Sequence, residues 1–277
     1  MPRAFWIQPF LNMASSVWSM PEEEWIDDYP NKGDIEMLAN HASLTSTIDE
    51  GNFRSEMYQK WKAKDTSVEL MVRTLTTRAR VVFLGTREQW SNIPWKFWAR
   101  VFQSIGHPIE RVLFYADPST RSDPPPNQAL TAKAINGGYT YMGSKEVIVI
   151  YRYEEATRVL LHELLHTAGF DSEKSVELLE AHTEAWTELF LCALLSRGKY
   201  RAFYTLWKAQ VDWMTEQAES LKLSHNVNTP ADYAWRYMLG KKDVLENAGF
   251  LENFKGKGGQ PTQSLRFTTP AWDTYMV

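Results

Sequence analysis

The order of strand-like and helix-like patterns along the chain is the feature that most limits its fold. Short apolar or β-branched runs occur at 80–85, 111–116 and 146–151, all before Glu154. After Glu154 the pattern is helical, with helices predicted at about 154–168, 173–197, 200–222 and 231–247. This separation of strands from helices predicts an α+β fold, with the sheet in the first half and a helical subdomain in the second.

Further elements are expected in the first half. Apolar residues spaced by three or four predict a helix at about 53–75. A second helix begins at Pro94 and ends at Gly106, which suits a C-cap. A Gly-Ser pair separates 139–142 from 146–151, so these two segments are predicted to form a hairpin.

The length of 277 residues allows one large domain or two small ones. We expect a central α+β domain at 51–253, with a sheet-bearing part at about 78–170 and a helical part at about 171–250. Residues 1–50 are rich in aromatic side chains, and either pack on this domain or form an arm that docks on a neighbouring subunit. Residues 254–277 lack periodicity and are predicted to form an extended tail.

Charge and composition exclude several classes of partner. The formal net charge is −4 and no block of Lys or Arg stands out, so no nucleic acid is implied as a partner. No run of 18 apolar residues occurs, so no membrane span is expected. The one cysteine, Cys192, rules out an internal disulfide, and the N-terminus makes a poor signal peptide. We therefore expect a cytoplasmic or intracellular protein.

Residues 162–166 read His-Glu-Leu-Leu-His on the first helix predicted after the strands. Residues four apart lie on one face of a helix, so the imidazoles of His162 and His166 can converge on one metal ion. Glu163 can reach a metal-bound water rather than the metal. Zinc lowers the pKa of such a water to about 7, and a carboxylate can then take its proton. The motif therefore predicts Zn²⁺ as the cofactor and Glu163 as the general base.

The surroundings of the motif matter, because chance alone gives His-Glu-x-x-His in about 1% of chains of this length. Here the motif lies on a predicted amphipathic helix. A β-branched strand precedes it and an acid-bearing helix follows it. The alternative is that two histidines pack at a helix surface with a solvated glutamate between them.

With this motif in this context, residues 80–195 resemble the zincin metallopeptidases. The resemblance implies a small mixed β-sheet, an active-site helix that carries the motif, and a mainly helical subdomain after it. It also implies that an edge strand pairs with an extended peptide substrate. That role falls on residues 146–151.

The third metal ligand distinguishes the zincin subfamilies. Metzincins extend the motif as HExxHxxGxxH. This chain has Gly169, but Ser172 occupies the last position and serine is a poor zinc ligand. The resemblance is therefore greatest to the gluzincins, which take a glutamate from the following helix. That helix offers Glu177, Glu180, Glu184 and Glu188.

Helix geometry ranks these glutamates. If the two helices form a tight antiparallel pair around a turn at 169–172, a ligand that faces the histidines lies roughly seven or eight residues into the second helix. This selects Glu180, with Glu177 close behind it. The resemblance gives Glu184 the role of holding the ring of His162 by its other nitrogen. If the turn is wider, Glu184 is the ligand and Glu188 its support.

Other polar side chains are weaker candidates for a role in the site. His182 lies about 200° from Glu180 around the helix axis, so both cannot point at one ion. Zincins also supply a Tyr or His that stabilises the charge on the carbonyl oxygen of the substrate. Tyr204, His225 and Tyr233 are the candidates for this role, and we select His225 and Tyr233.

The preferred hypothesis is hydrolysis of peptide bonds by a zinc metallopeptidase that acts on a peptide or protein. One alternative is a zincin-like structural or assembly subunit with a non-catalytic or vestigial metal site, whose terminal arms bind neighbours or other copies of the chain. A second alternative is an Fe or Mn site, since two histidines and one carboxylate also form the facial triad of iron oxygenases. Those ligands usually lie on strands rather than on a helix.

Overall fold

The structure is a computed structural model that describes residues 5–76, 78–169, 175–252, 254, 256 and 264–276. Its α-helices are α1 (Gln8–Ser19), α2 (Lys32–Ser43), α3 (Phe53–Lys62), α4 (Arg87–Ser91), α5 (Trp95–Ile105), α6 (Ala132–Ile135), α7 (Ala156–Thr167), α8 (Val176–Leu195), α9 (Tyr200–His225) and α10 (Gly240–Asn247). Its strands are β1 (Trp25–Asp28), β2 (Glu69–Leu75), β3 (Ala79–Gly85), β4 (Ile109–Tyr115), β5 (Gly138–Thr140) and β6 (Val147–Ile150). Short 3₁₀-helices cover Phe5–Ile7 and Pro270–Tyr275, and a π-helix covers Trp235–Leu239.

The chain forms two compact units. The sheet unit comprises residues 22–120 and 136–169, and the helical unit comprises residues 1–21, 121–135 and 170–277. The sheet unit therefore begins at residue 22, because β1 and α2 contribute to it.

The strands form one six-stranded mixed sheet in the order β1-β2-β3-β4-β6-β5. β3, β4 and β6 run parallel to one another, whereas β1, β2 and β5 are antiparallel to their neighbours. Together with the helices, this sheet confirms the predicted mixture of α and β structure around a small mixed sheet. Strand β6 is buried at every position, as expected for an interior parallel strand.

Helices cover both faces of the sheet, because successive strand residues point to opposite sides. On one face, Leu113 and Val149 join a core with Met57 of α3. On the other face, Phe114 stacks on Trp98 of α5, with ring centroids 6.1 Å apart. Helix α7 contacts α5, β5 and β6 and so belongs to this second layer.

Several predicted elements are confirmed in the sheet unit. The strands predicted at 80–85 and 111–116 are β3 and β4, and the helix that ends at Gly106 is α5. The predicted hairpin is also confirmed, since β5 pairs antiparallel with β6.

The prediction of one helix at 53–75 was wrong in its second half. Helix α3 ends at Lys62, and the Asp65 carboxylate accepts from the backbone N–H of Ser67 at 2.9 Å in the turn that follows. Residues 69–75 then form β2, which pairs with β3 along its whole length. Pairing with neighbouring strands outweighs the apolar spacing that favoured a helix.

The prediction that residues 146–151 form an edge of the sheet was also wrong. Strand β6 pairs with β4 on one side and with β5 on the other, so its backbone groups are used inside the sheet. Among the described strands, the edge beside β6 is instead β5, at Gly138–Thr140. The apolar run of β6 suits an interior position, and the shorter β5 covers it.

Helix α8 is the centre of the helical unit. Helices α1, α9, α10 and the π-helix all pack on it. The helices predicted after Gly169 are therefore present, with altered bounds, as α8, α9, and the π-helix followed by α10. Cys192 is fully buried in α8, as expected for a core residue, and burial together with the nearby charge of Glu188 raises the pKa of its thiol.

The terminal segments that the structure describes pack on the helical unit. In α1, the indole of Trp18 donates to the carbonyl of Leu194 at 2.8 Å. Near the C-terminus, Trp272 is fully buried and donates to the carbonyl of Leu206 at 3.1 Å. Helix α1 therefore packs on the helical unit. The described residues 264–276 also pack on this unit and contribute to its core.

Candidate metal centre

Helix α7 carries the His-Glu-Leu-Leu-His motif and is buried along its whole length. It begins directly after Glu155, whose φ of 58° is in the left-handed region that non-glycine residues seldom adopt. In its first turn, the Thr157 hydroxyl accepts from the indole of Trp98 at 2.8 Å. The helix is thus fixed at its N-terminal end by α5.

The C-terminal end of α7 is held by two polar contacts within the sheet unit. A ring nitrogen of His107, Nε2, lies 2.8 Å from the Thr167 hydroxyl. The backbone N–H of Gly143, in the turn between β5 and β6, donates to the carbonyl of His166 at 3.3 Å. Burial and the charge of Lys145 lower the pKa of His107, which favours the neutral ring.

The two histidines of the motif meet on one face of α7. The Nε2 atoms of His162 and His166 lie 2.9 Å apart, and the ring planes cross at 79° with centroids 4.6 Å apart. Both residues are only 6% exposed, and Glu163 is 5% exposed. This burial does not fit the alternative of surface histidines with a solvated glutamate between them.

Glu163 lies close to the backbone of strand β5. A Cβ added to Gly138 would be 3.5 Å from Oε1 of Glu163, 2.5 Å from Cγ1 of Val159 and 2.7 Å from the carbonyl oxygen of Val149. Only glycine therefore fits at this position without movement of its neighbours. Gly138 is not among the site residues predicted from the sequence, although a glycine beside a strand pattern is a signal of close backbone approach.

The acidic side chains of α8 have different environments. Helix α8 begins after Ser175, whose hydroxyl accepts from the backbone N–H of Leu178. Ser172, at the last position of the metzincin pattern, lies outside the described residues. Glu177 pairs with Arg236 at 3.4 Å. Glu188 is fully buried and accepts from Lys241 at 2.8 Å, so its charge already has a partner deep in the helical unit.

Three side chains form a group that could hold one metal ion. They are His162, His166 and Glu180, and one ligand atom from each lies within 4.8 Å of the others. Glu184, the predicted support residue, is 2% exposed one helical turn further along α8. The described residues thus bring His162, His166 and Glu180 close together, and their role as metal ligands stays a prediction.

The chemistry of this group fits zinc. Two imidazole nitrogens bound to one tetrahedral zinc lie about 3.3 Å apart, since each Zn–N bond is about 2.0–2.1 Å. The Nε2 atoms of His162 and His166 are 2.9 Å apart, so binding needs only a small opening of the pair. Two imidazoles and one carboxylate also leave the fourth tetrahedral position open, as in catalytic zinc sites.

The structure adds Tyr237, which sequence reasoning missed, to the surroundings of Glu180. Burial, the charge of Glu180 and a hydrogen bond with Tyr233 raise the pKa of the Tyr237 hydroxyl well above its ordinary value. The two tyrosine rings lie 5.4 Å apart, and Arg236 lies over the ring of Tyr233 at 5.0 Å. Tyr237 belongs to the π-helix, a rare element that often occurs at functional sites. The spacing of four residues from Tyr233 was the signal available in the sequence.

His225 is engaged elsewhere in the helical unit. Its Nε2 lies 2.6 Å from the Asp123 carboxylate, and its Nδ1 lies 2.9 Å from the carbonyl oxygen of Gln128. Both ring nitrogens therefore bind the segment 121–135, and neither is left for a substrate carbonyl.

The remaining candidates have local roles. The Nδ1 atom of His182 lies 2.8 Å from the carbonyl oxygen of Leu178 on its own helix, and His182 is not part of the group that could hold an ion. Tyr204 packs on Phe254 with ring centroids 4.9 Å apart.

No family model matches the chain, and neither the curated proteins nor the solved structures contain a significant match to it. Among the described helices, none is both long enough and apolar enough to cross a membrane.

Proposed function

We propose that this protein is a zinc-dependent peptidase that hydrolyses peptide bonds, with His162, His166 and Glu180 as metal ligands and Glu163 as the general base. The observation that carries the proposal is the buried pair of imidazoles with a carboxylate in reach of the same ion. Glu163 lies next to the first histidine and beside the backbone of strand β5, where a substrate would lie.

Strand β5 is the substrate-binding edge in this proposal. The Tyr151 N–H donates to the carbonyl of Gly137, and bonding alternates along an antiparallel pair. Tyr139, which pairs with Val149, therefore directs its backbone groups toward β6. Gly138 and Thr140 direct theirs toward the open edge, where they can pair with an extended peptide.

The residues near the metal group have different roles in the proposed hydrolysis. A bound zinc ion would polarise the scissile carbonyl and lower the pKa of a water ligand to about 7. Glu163 accepts the proton of the attacking water and passes it to the leaving amine. The backbone of Gly138 and Thr140 orients the substrate, and the burial of Glu163, which is 5% exposed, limits the access of other water.

Tyr237 is the residue of the helical unit that we assign to the developing oxyanion. A phenol is protonated at neutral pH, so its O–H can donate a hydrogen bond to an oxyanion. Tyr233 holds the Tyr237 hydroxyl and acts through it. This assignment replaces His225, whose ring nitrogens contact Asp123 and Gln128.

The test compares the purified protein with Glu163→Gln. We expect one zinc per chain in both proteins. The wild type should hydrolyse a mixed peptide library, and the variant should do so at a rate lower by about 10³-fold or more. His182→Gln is the matched control, since it removes an imidazole from α8 that the proposal does not use. Zinc bound at one equivalent without hydrolysis, or equal hydrolysis by both proteins, would contradict the proposal.

The alternative of a structural subunit with a non-catalytic metal drew its support from the terminal arms. In the described residues, α1 and residues 264–276 pack on the helical unit of their own chain. These contacts favour packing within one chain for the described parts of the terminal segments, and zinc binding without turnover would favour the alternative.

A further inference from the structure

Strand β5 needs an anchor outside the sheet, because it is three residues long and has one neighbouring strand among the described residues. Short edge strands open at low free-energy cost unless side chains hold them. Gly138 has no side chain, and the Thr140 hydroxyl donates to the carbonyl of Val147 at 2.8 Å within the hairpin. Tyr139 is the residue of β5 that reaches helices α2 and α3.

The Tyr139 hydroxyl makes two hydrogen bonds. Nη1 of Arg54 donates to it at 2.6 Å, and Nδ1 of His41 lies 2.8 Å from it. A guanidinium can only donate, so the hydroxyl proton is directed to His41. Burial and the charge of Arg54 lower the pKa of His41, which keeps Nδ1 available as an acceptor. Burial raises the pKa of Tyr139 to about 12, so the hydroxyl keeps its proton.

Arg54 is itself held rigidly. Its Nε donates to the Asp49 carboxylate at 2.8 Å, and its two terminal nitrogens donate to the carbonyls of His41 and Leu44 at 2.9 and 3.0 Å. The side chains of Arg54 and Asp49 are 3% and 1% exposed. Hydrogen bonds from a charged, fixed donor are stronger than neutral ones, so this group can hold a strand in place.

We propose that Tyr139 is a positioning residue, which through Arg54 and His41 holds strand β5 in the register that presents a paired peptide to Glu163. We call the three residues the Tyr139 clamp. Tyr139 and Gly138 point to opposite faces of the strand, so the clamp acts from the face away from α7. The catalytic part of this inference rests on the proposed peptidase function, whereas its structural part does not.

Tyr139→Phe tests the clamp, because it removes both hydrogen bonds and keeps the aromatic ring. Losing hydrogen bonds to a charged group should raise KM for an extended peptide about tenfold, with kcat changed less than about threefold. The Tyr139 amide, which faces β6, should exchange with solvent about tenfold faster, while amides of α7 and the zinc content stay unchanged. Tyr141→Phe is the matched control, since the Tyr141 ring packs on Tyr139 but is 55% exposed.

Variants of His41 separate positioning from packing. His41→Asn offers a carbonyl oxygen near the position of Nδ1 and should keep both KM and amide exchange near the wild-type values. His41→Leu offers no acceptor and should raise KM and amide exchange in the same direction as Tyr139→Phe but by less, because the hydrogen bond from Arg54 remains. If both His41 variants are alike, the hydroxyl bond to His41 does not position the strand.

The two readouts also separate this inference from the proposed function. Unchanged KM and unchanged amide exchange in Tyr139→Phe would overturn the clamp while leaving the peptidase proposal intact. A wild-type protein without hydrolysis would defeat the peptidase proposal, and amide exchange would then decide whether the clamp holds β5. Faster exchange together with unchanged KM would show that β5 is held but does not bind the substrate, which also overturns the proposal.

Discussion

The ammonium group of Lys241 donates to the carboxylate of Glu188 at 2.8 Å, and both side chains are fully buried in the helical unit. Lys241→Met leaves the buried carboxylate without its cation, so we expect the free energy of unfolding to fall by about 3–5 kcal/mol. Lys241→Met combined with Glu188→Leu should recover much of the loss, because neither charge remains. Urea unfolding at pH 7 measures both effects. Lys208→Met, in a partly exposed pair with Asp212, should cost less than about 1 kcal/mol, and an equal loss in the two lysine variants would contradict the expectation.

Zinc should stabilise the folded protein through the two imidazoles of α7. A ligand that binds only the folded state at about 100 times its Kd adds about 2.7 kcal/mol. We therefore expect thermal melting to shift upward by several degrees between EDTA and added Zn²⁺, and His166→Gln to abolish the shift. His182→Gln should keep it. A shift of the same size in His166→Gln would show that the ion binds elsewhere.

Gly138→Ala should impair both the fold and the site, because a Cβ there would lie 2.5 Å from Cγ1 of Val159 and 2.7 Å from the carbonyl oxygen of Val149. Overpacking of this kind costs about 1–3 kcal/mol. Adding Val159→Ala removes one of the two contacts and should restore part of the stability. Chemical unfolding of the single and double variants gives the comparison. Full stability of Gly138→Ala alone would mean that β5 does not lie this close to α7.

Asp34 should contribute stability that disappears in acid. Burial raises the pKa of its carboxyl, but hydrogen bonds from Arg80, the Asn31 backbone N–H and Arg111 outweigh burial, so the pKa lies below the usual 3.8. A carboxyl whose pKa is lower in the folded state stabilises the fold at pH values above its pKa in the unfolded chain. This stabilisation is lost as the pH falls through the pKa of the folded state.

Asp34→Asn should therefore lower the free energy of unfolding at pH 7 by about 2–4 kcal/mol, with the difference from wild type shrinking below about pH 4. Urea unfolding across pH 3–7 measures the difference. Asp212→Asn serves as the control on an exposed helix pair. A difference that is independent of pH would show that packing, rather than charge, accounts for the effect.

The motif residues could be predicted from the sequence because their arrangement depends on one helix. A spacing of four residues places His162 and His166 on one face whatever surrounds the helix. The rank of Glu180 above Glu184 needed only an estimate of helix rise. Local rules therefore suffice to predict that these three side chains lie close together, and their role as metal ligands stays a prediction.

The strand order could not be predicted in this way, because it depends on contacts distant in sequence. The apolar sequence of β6 is compatible with an edge strand and with an interior strand. Only the pairing of the three-residue strand β5 with β6 shows that β6 is interior. Helix α3 ended early for the same reason, since β2 forms only beside β1 and β3. Tyr139 and Tyr237 were not selected from the sequence, because their contacts involve residues distant in sequence, and the four-residue spacing between Tyr233 and Tyr237 does not identify those contacts.

Cys192 has a practical consequence for experiments on this molecule. Its thiol is fully buried, and burial keeps it in the protonated, unreactive form. Maleimide dyes and thiol-reactive spin labels should therefore not react with the native protein. A cysteine introduced at the exposed position Met142, near the β5–β6 turn, would be the one site that such a reagent labels. The fluorescence or spin signal of the label would then report the binding of a peptide near β5 over time.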